Sequence, residues 1–220
     1  MGDDRVVTGF WDWEKQRSME LRDALTQISE IRLQMARTEV FRGYRAMPVA
    51  FSGVLALAAA GFQAVWIREP TTELSSYLTL WIGAAVISAV AAGTEMVIRV
   101  RNSASPWTRQ ITWLAVEQFV PCLVAGGLLT FVLIRFVDNA VWMLPGLWQI
   151  LFSLGVFASC RLLPRATFGV AVFYLGSGLA CLSLAQGAFA LSPWAMGLPF
   201  GVGQLLAAAV LYRTLEWSDE

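Results

Sequence analysis

Glu95 and Glu117 are the residues best placed to do chemistry. They are the acidic side chains inside segments long and apolar enough to cross a bilayer, and they flank Arg99, Arg101 and Arg109. Glu95 precedes Arg99 by four residues, the order in which a helix brings acid and base face to face. That pattern places an ion pair at the headgroup boundary, with the arginine snorkelling to water. Glu117 reads as deeper, two turns past Arg109, or ~12 Å along a helix axis at ~1.5 Å per residue. A carboxylate there must be paired, protonated or turned to a polar cavity. Pro121 follows four residues later and lacks the N–H that would bond the Glu117 carbonyl. A free backbone acceptor beside a carboxylate could bind a proton or a cation. A kinked helix whose glutamate meets Arg99, Arg101 or Arg109 accounts for the same residues. Gln63, Gln118, Gln149, Gln186 and Gln204 are the remaining polar spots. Amides in spans commonly tie one helix to another. A polar path along Glu117, Gln118 and Gln204, with Tyr174 as a further member, is the sharper alternative.

What the chain lacks narrows the chemistry further. It has no histidine, and its one lysine is Lys15. Histidine-based acid–base catalysis, Ser–His and Cys–His pairs, histidine-built zinc sites and histidine-ligated haem are therefore excluded. So are a lysine Schiff base and a Ser–Lys dyad in the spans. Ser177, between Gly176 and Gly178, has no evident base, and small residues there serve close helix approach instead. Cys122, Cys160 and Cys181 fall in hydrophobic segments with no CxxC spacing, which supports neither a disulfide framework nor a metal knuckle. The expectation is a protein with no catalytic residues, no metal and no cofactor.

These candidates need membrane helices to position them. Of 220 residues, 57% are hydrophobic and 15% charged, against about 25% charged in a soluble domain. Net charge is zero, so there is no electrostatic case for nucleic acid. Six hydrophobic segments, at 46–67, 77–98, 111–134, 142–160, 167–187 and 193–213, each approach the ~20 residues that cross a ~30 Å hydrocarbon core. Without water to pair backbone groups, they must be helices. Fifteen arginines against one lysine fit a GC-rich bacterial genome.

Arginine placement orients the spans. Arg37, Arg42, Arg45, Arg99, Arg101, Arg109, Arg161, Arg165 and Arg213 fall on one side, Arg68 and Arg135 on the other. The positive-inside rule puts both termini in the cytoplasm, and an even number of crossings agrees. Tryptophans fall at or near the expected span ends, with none mid-span, as an interfacial belt requires. Small residues recur at four-residue spacing: Ser52, Ala56 and Ala60; Ala84, Ser88 and Ala92, beside Ala85, Ala89 and Gly93; Gly176 and Ala180; Gly197 and Gly201. Such stripes let helices approach closely in lipid. The spans read as three consecutive hairpins. Leu80-Trp81 and Leu147-Trp148 are loosely alike, too little alone to establish a repeat.

Residues 1–45 carry eight acidic and eight basic side chains and no signal peptide. Leu21, Leu25, Ile28, Ile31 and Met35 form a narrow apolar stripe at helical spacing. This predicts an amphipathic cytoplasmic helix over 12–42, lying on its own membrane domain or pairing with a second copy or a cytoplasmic protein.

The expected architecture is all-α: a cytoplasmic helical segment over 1–45, six transmembrane helices in an up-down bundle over 46–213, and a short cytoplasmic tail over 214–220. The expected setting is the bacterial inner membrane. The leading functional expectation is a non-enzymatic scaffold or accessory subunit in the lipid bilayer. The alternative is a small proton- or cation-linked transporter or channel using Glu117, joined by Glu95 and Gln204.

Overall fold

A computed structural model describes Gln27 and residues 46–102, 106–160 and 165–216. The chain divides into two units, Met1–Glu39 and Val40–Glu220. In the first, only Gln27 is described, within a helix. The rest of the helix expected over 12–42 lies outside the described residues, as do Arg37, Arg42, Arg45 and Arg161.

Regular structure among the described residues is entirely helical. Helix α1 spans Ala46–Trp66, α2 Leu74–Asn102 and α3 Pro106–Phe136. A 3-10 turn, Asp138–Met143, leads directly into α4, Leu144–Ser159. Then come α5, Thr167–Leu184, and α6, Pro193–Glu216, joined through a second 3-10 turn, Gly187–Phe189. Pro48, Pro106, Pro145 and Pro193 all fall in first turns, where a missing N–H leaves no intrahelical bond unmade. Pro121 and Pro199 lie inside α3 and α6, which continue past them.

Six helices are long and apolar enough to cross a membrane, as in a multi-pass membrane protein: Ala46–Trp66, Leu74–Ile98, Val116–Phe136, Asp138–Ser159, Thr167–Leu184 and Pro193–Arg213. They fall on the six expected segments.

Helix α1 packs most closely against α6, and α4 against α5. Looser contacts join α1 to α2, α3 to α4 and α5 to α6, while α2 and α3 barely touch. The tight pairs rest on glycine. A Cβ on Gly53 would stand 3.0 Å from the Gly201 carbonyl, one on Gly201 would strike the Leu57 side chain, and one on Gly197 would strike Ala60. Across α4–α5, a Cβ on Gly146 would meet the Gly178 carbonyl at 2.8 Å, and one on Gly178 the Gly146 carbonyl at 2.8 Å. The expected stripes on α1 and α6 therefore do form a seam.

The stripe of Gly176 and Ala180 does not: both are exposed, and it is Gly178 that faces α4. On α2, Ala84, Ser88 and Ala92 are half-buried and Ala84 packs against the core, while Ala85 and Ala89 beside them are exposed. Small residues permit close approach, but a partner helix must be there to use it, and α2 is packed chiefly along its first half. Much of the remaining surface of α2 and α3 is apolar, including Val86, Val90, Leu123, Leu128 and Phe131. Such a surface suits lipid, which offers apolar contact where water does not.

The connections around 67–73, 137–143 and 185–192 converge at one end. Tyr77, Val141, Leu144 and Leu191 share one buried cluster there with Ala60, Trp81 and Met196.

Candidate functional site

Glu117 is the twelfth residue of α3 and is exposed, as is the adjacent Gln118. Glu95 is half-buried, the twenty-second of the 29 residues of α2. Arg101 is exposed near the end of α2, and Arg99 and Arg109 are carried by α2 and α3.

Gln204 is half-buried on α6 and interacts with the Tyr174 hydroxyl of α5, so these two expected partners do meet. The Tyr174 O–H also points to the Phe200 carbonyl at 3.5 Å. Around it the surroundings are aromatic. The rings of Phe152 and Phe200 lie 4.8 and 5.4 Å from that of Tyr174. Tyr174 fits because the neighbouring residue on α6 is Gly203, where a Cβ would come within 2.6 Å of its hydroxyl.

The most heavily buried polar residues are elsewhere, at the end where the three connections converge. Gln63 of α1 is fully buried. Its Oε1 accepts the indole N–H of Trp81 at 2.8 Å, and its Nε2 donates to the Leu191 carbonyl at 2.8 Å. One amide therefore ties α1 to α2 and to the α5–α6 connection. Leu191 has φ 57°, a left-handed conformation rare for a branched side chain, and is itself buried. Gln149 of α4, also fully buried, donates to the Ala195 carbonyl at the start of α6 at 2.8 Å. The α5–α6 connection is thus held from α1, and the first turn of α6 from α4. Ser153 of α4 adds a bond to the Ala171 carbonyl of α5 at 2.8 Å.

A second indole bond matches the first. Trp148 donates to Thr130 Oγ1 at 2.8 Å, and that hydroxyl donates to the Gly126 carbonyl. Each tryptophan reaches the residue eighteen places earlier, across the turn of its own hairpin. The two tryptophans are 67 residues apart, as are their acceptors Gln63 and Thr130. The loose likeness of Leu80-Trp81 to Leu147-Trp148 thus coincides with a shared bonding pattern. It also corrects the reading of these two tryptophans as belt residues. Trp81 is buried, and Trp148 is the eleventh residue of the Asp138–Ser159 segment. Each indole N–H is used inside the protein.

The buried amides differ in completeness. Both polar ends of Gln63 are bonded, whereas Gln149 Oε1 has no partner among the described residues, like the buried hydroxyls of Tyr77 and Thr167. Replacing Gln149 with leucine removes one hydrogen bond but also an unsatisfied oxygen. We expect Gln149→Leu to cost no more than ~1 kcal/mol in thermal unfolding, because a single interhelical bond in a membrane averages ~0.6 kcal/mol.

Among the described residues, no group of three or more His, Cys, Asp or Glu could hold a metal ion. The cysteines are free, and partial burial pushes the Cys160 thiol up. The polar groups here bind helices and a connection to one another. Compared with known protein families, curated proteins and solved structures, the chain matches none.

Proposed function

We propose that this protein is a non-enzymatic scaffold or accessory subunit of a bacterial inner membrane, with both termini in the cytoplasm and its six spans arranged as three consecutive hairpins in an up-down bundle. One observation carries this reading: the deeply buried amides are committed to main-chain carbonyls and an indole rather than ranged around an opening. A rigid body of this kind presents surfaces, and the amphipathic segment over 12–42 is the part of the sequence built to meet a second copy or a cytoplasmic protein. The transport reading has less support. It rests on Glu117, with Glu95 and Gln204, and Glu117 is exposed on α3.

Deletion of residues 1–40 tests the proposal. The shortened chain should insert and stay monodisperse, while its detergent-corrected mass falls by at least one copy or a co-purifying protein is lost. Unchanged mass with every co-purifying protein retained would overturn the reading.

A further inference from the structure

Phe62 and Trp66 lie one turn apart on α1, and their rings stack at 5.6 Å between centroids, only 10° from parallel. Both are substantially exposed, Trp66 at 70%. They form one wall of a groove of about 500 Å³. Its other wall comes from Glu73 and the first turns of α2, with Ser75, Ser76 and Thr79. The groove lies where one apolar segment ends, at Trp66, and the next begins, at Leu74. That is the depth at which acyl chain gives way to headgroup in a bilayer.

The polar groups are matched to a particular headgroup. The Glu73 carboxylate has no ion-pair partner among the described residues, and the hydroxyls of Ser75 and Ser76 bond no protein group there. Glu69 and Glu73 outnumber Arg68 in this connection, so its local charge is negative. The Thr72 hydroxyl donates to the Glu69 main-chain carbonyl at 2.9 Å and lies 3.5 Å from a Glu69 carboxylate oxygen, and Glu69 is not part of the groove lining. An open carboxylate beside an exposed indole face is a site for an ammonium group, which gains from both the charge and the ring quadrupole. Two free hydroxyls one position apart are donors suited to a phosphate. Phe62 and Leu80 supply apolar wall toward the hydrocarbon.

We infer that this groove binds a phospholipid whose headgroup carries a primary ammonium. The ammonium sits between Glu73 and the Trp66 ring, the phosphate accepts from Ser75 and Ser76, and an acyl chain runs along Phe62. The acidic excess turns away phospholipids with a net negative headgroup.

The test uses the full chain, purified, stripped of lipid in detergent, and incubated with phosphatidylethanolamine or phosphatidylglycerol of identical acyl chains. Retained lipid is counted by native mass spectrometry. Wild type should retain the ethanolamine lipid at least fivefold over the glycerol lipid. Glu73→Gln should bring that preference within twofold, and Glu73→Lys should reverse it. Arg68→Gln, outside the groove lining, should preserve it. These positions are at the surface, so the variants should remain monodisperse, and a melting curve for each verifies that. Equal retention of the two lipids by wild type would overturn the proposal, as would a preference that survives in both Glu73 variants.

Discussion

Gly197→Val should abolish the recovery of folded protein, whereas Gly176→Val should leave it nearly unchanged. Both glycines belong to small-residue pairs at four-residue spacing, and only their surroundings differ. A Cβ at Gly197 would be driven into Ala60, which is fully buried on α1 and sits on the backbone with no side-chain torsion to move it aside. Relief requires α1 and α6 to separate. Separation would also undo the contacts of Gly53 with the Gly201 carbonyl and of Gly201 with Leu57 along the same seam. Overpacking a core costs ~1–3 kcal/mol where side chains can adjust. Here the backbone must move, so ~3 kcal/mol or more is expected, a large part of a typical stability of ~5–15 kcal/mol. Gly176 is exposed with nothing within 4 Å of its Cβ position, and its change should stay within ~0.5 kcal/mol. Monodisperse yield and thermal unfolding in detergent measure both. Equal behaviour of the two variants would refute the seam.

Gln63→Leu should be the most damaging substitution of a buried polar side chain. Leucine fills most of the volume but leaves the Trp81 indole N–H and the Leu191 carbonyl buried without partners. Interhelical hydrogen bonds in a membrane average ~0.6 kcal/mol and reach ~1.7 kcal/mol. Two bonds on one amide, each leaving an orphan when broken, should cost ~2–3 kcal/mol. The contrast with Gln149→Leu is the informative part, because that change breaks one bond and removes an unsatisfied oxygen. Trp81→Phe gives a cycle with Gln63→Leu. The double variant should be less damaged than the two single losses added together, by ~1 kcal/mol. Strict additivity would mean that the Trp81–Gln63 bond contributes nothing.

The sequence made some of this legible and concealed the rest for physical reasons. Span count and position follow from hydrophobic length, because the bilayer sets a length that composition alone can meet. The seam of Ala56, Ala60, Gly197 and Gly201 was visible as spacing. Spacing cannot reveal whether a partner helix stands opposite, which is why Gly176 and Gly178 could not be told apart. Glu117 drew attention because charge in a hydrophobic run is conspicuous, but its exposure on α3 could not be read from the letters around it. The buried amides were conspicuous too, as expected ties. Their partners were not, since a main-chain carbonyl has no letter of its own in a sequence. The tryptophans misled for a related reason. Trp81 and Trp148 have the side chain of an interfacial residue, and only the acceptors Gln63 and Thr130 show that they serve the interior.

Loops usually tolerate added residues, shifted register and attached tags. The connection between α5 and α6 should not, despite its short and irregular form. Buried amides hold its end and the first turn of α6, from α1 at Leu191 and from α4 at Ala195, five residues counting both ends. That fixes the contour length between two anchored points, and one inserted residue would have to release a grip or buckle the chain between them. In engineering terms this stretch is part of the frame, and epitopes or fusion partners belong on other connections.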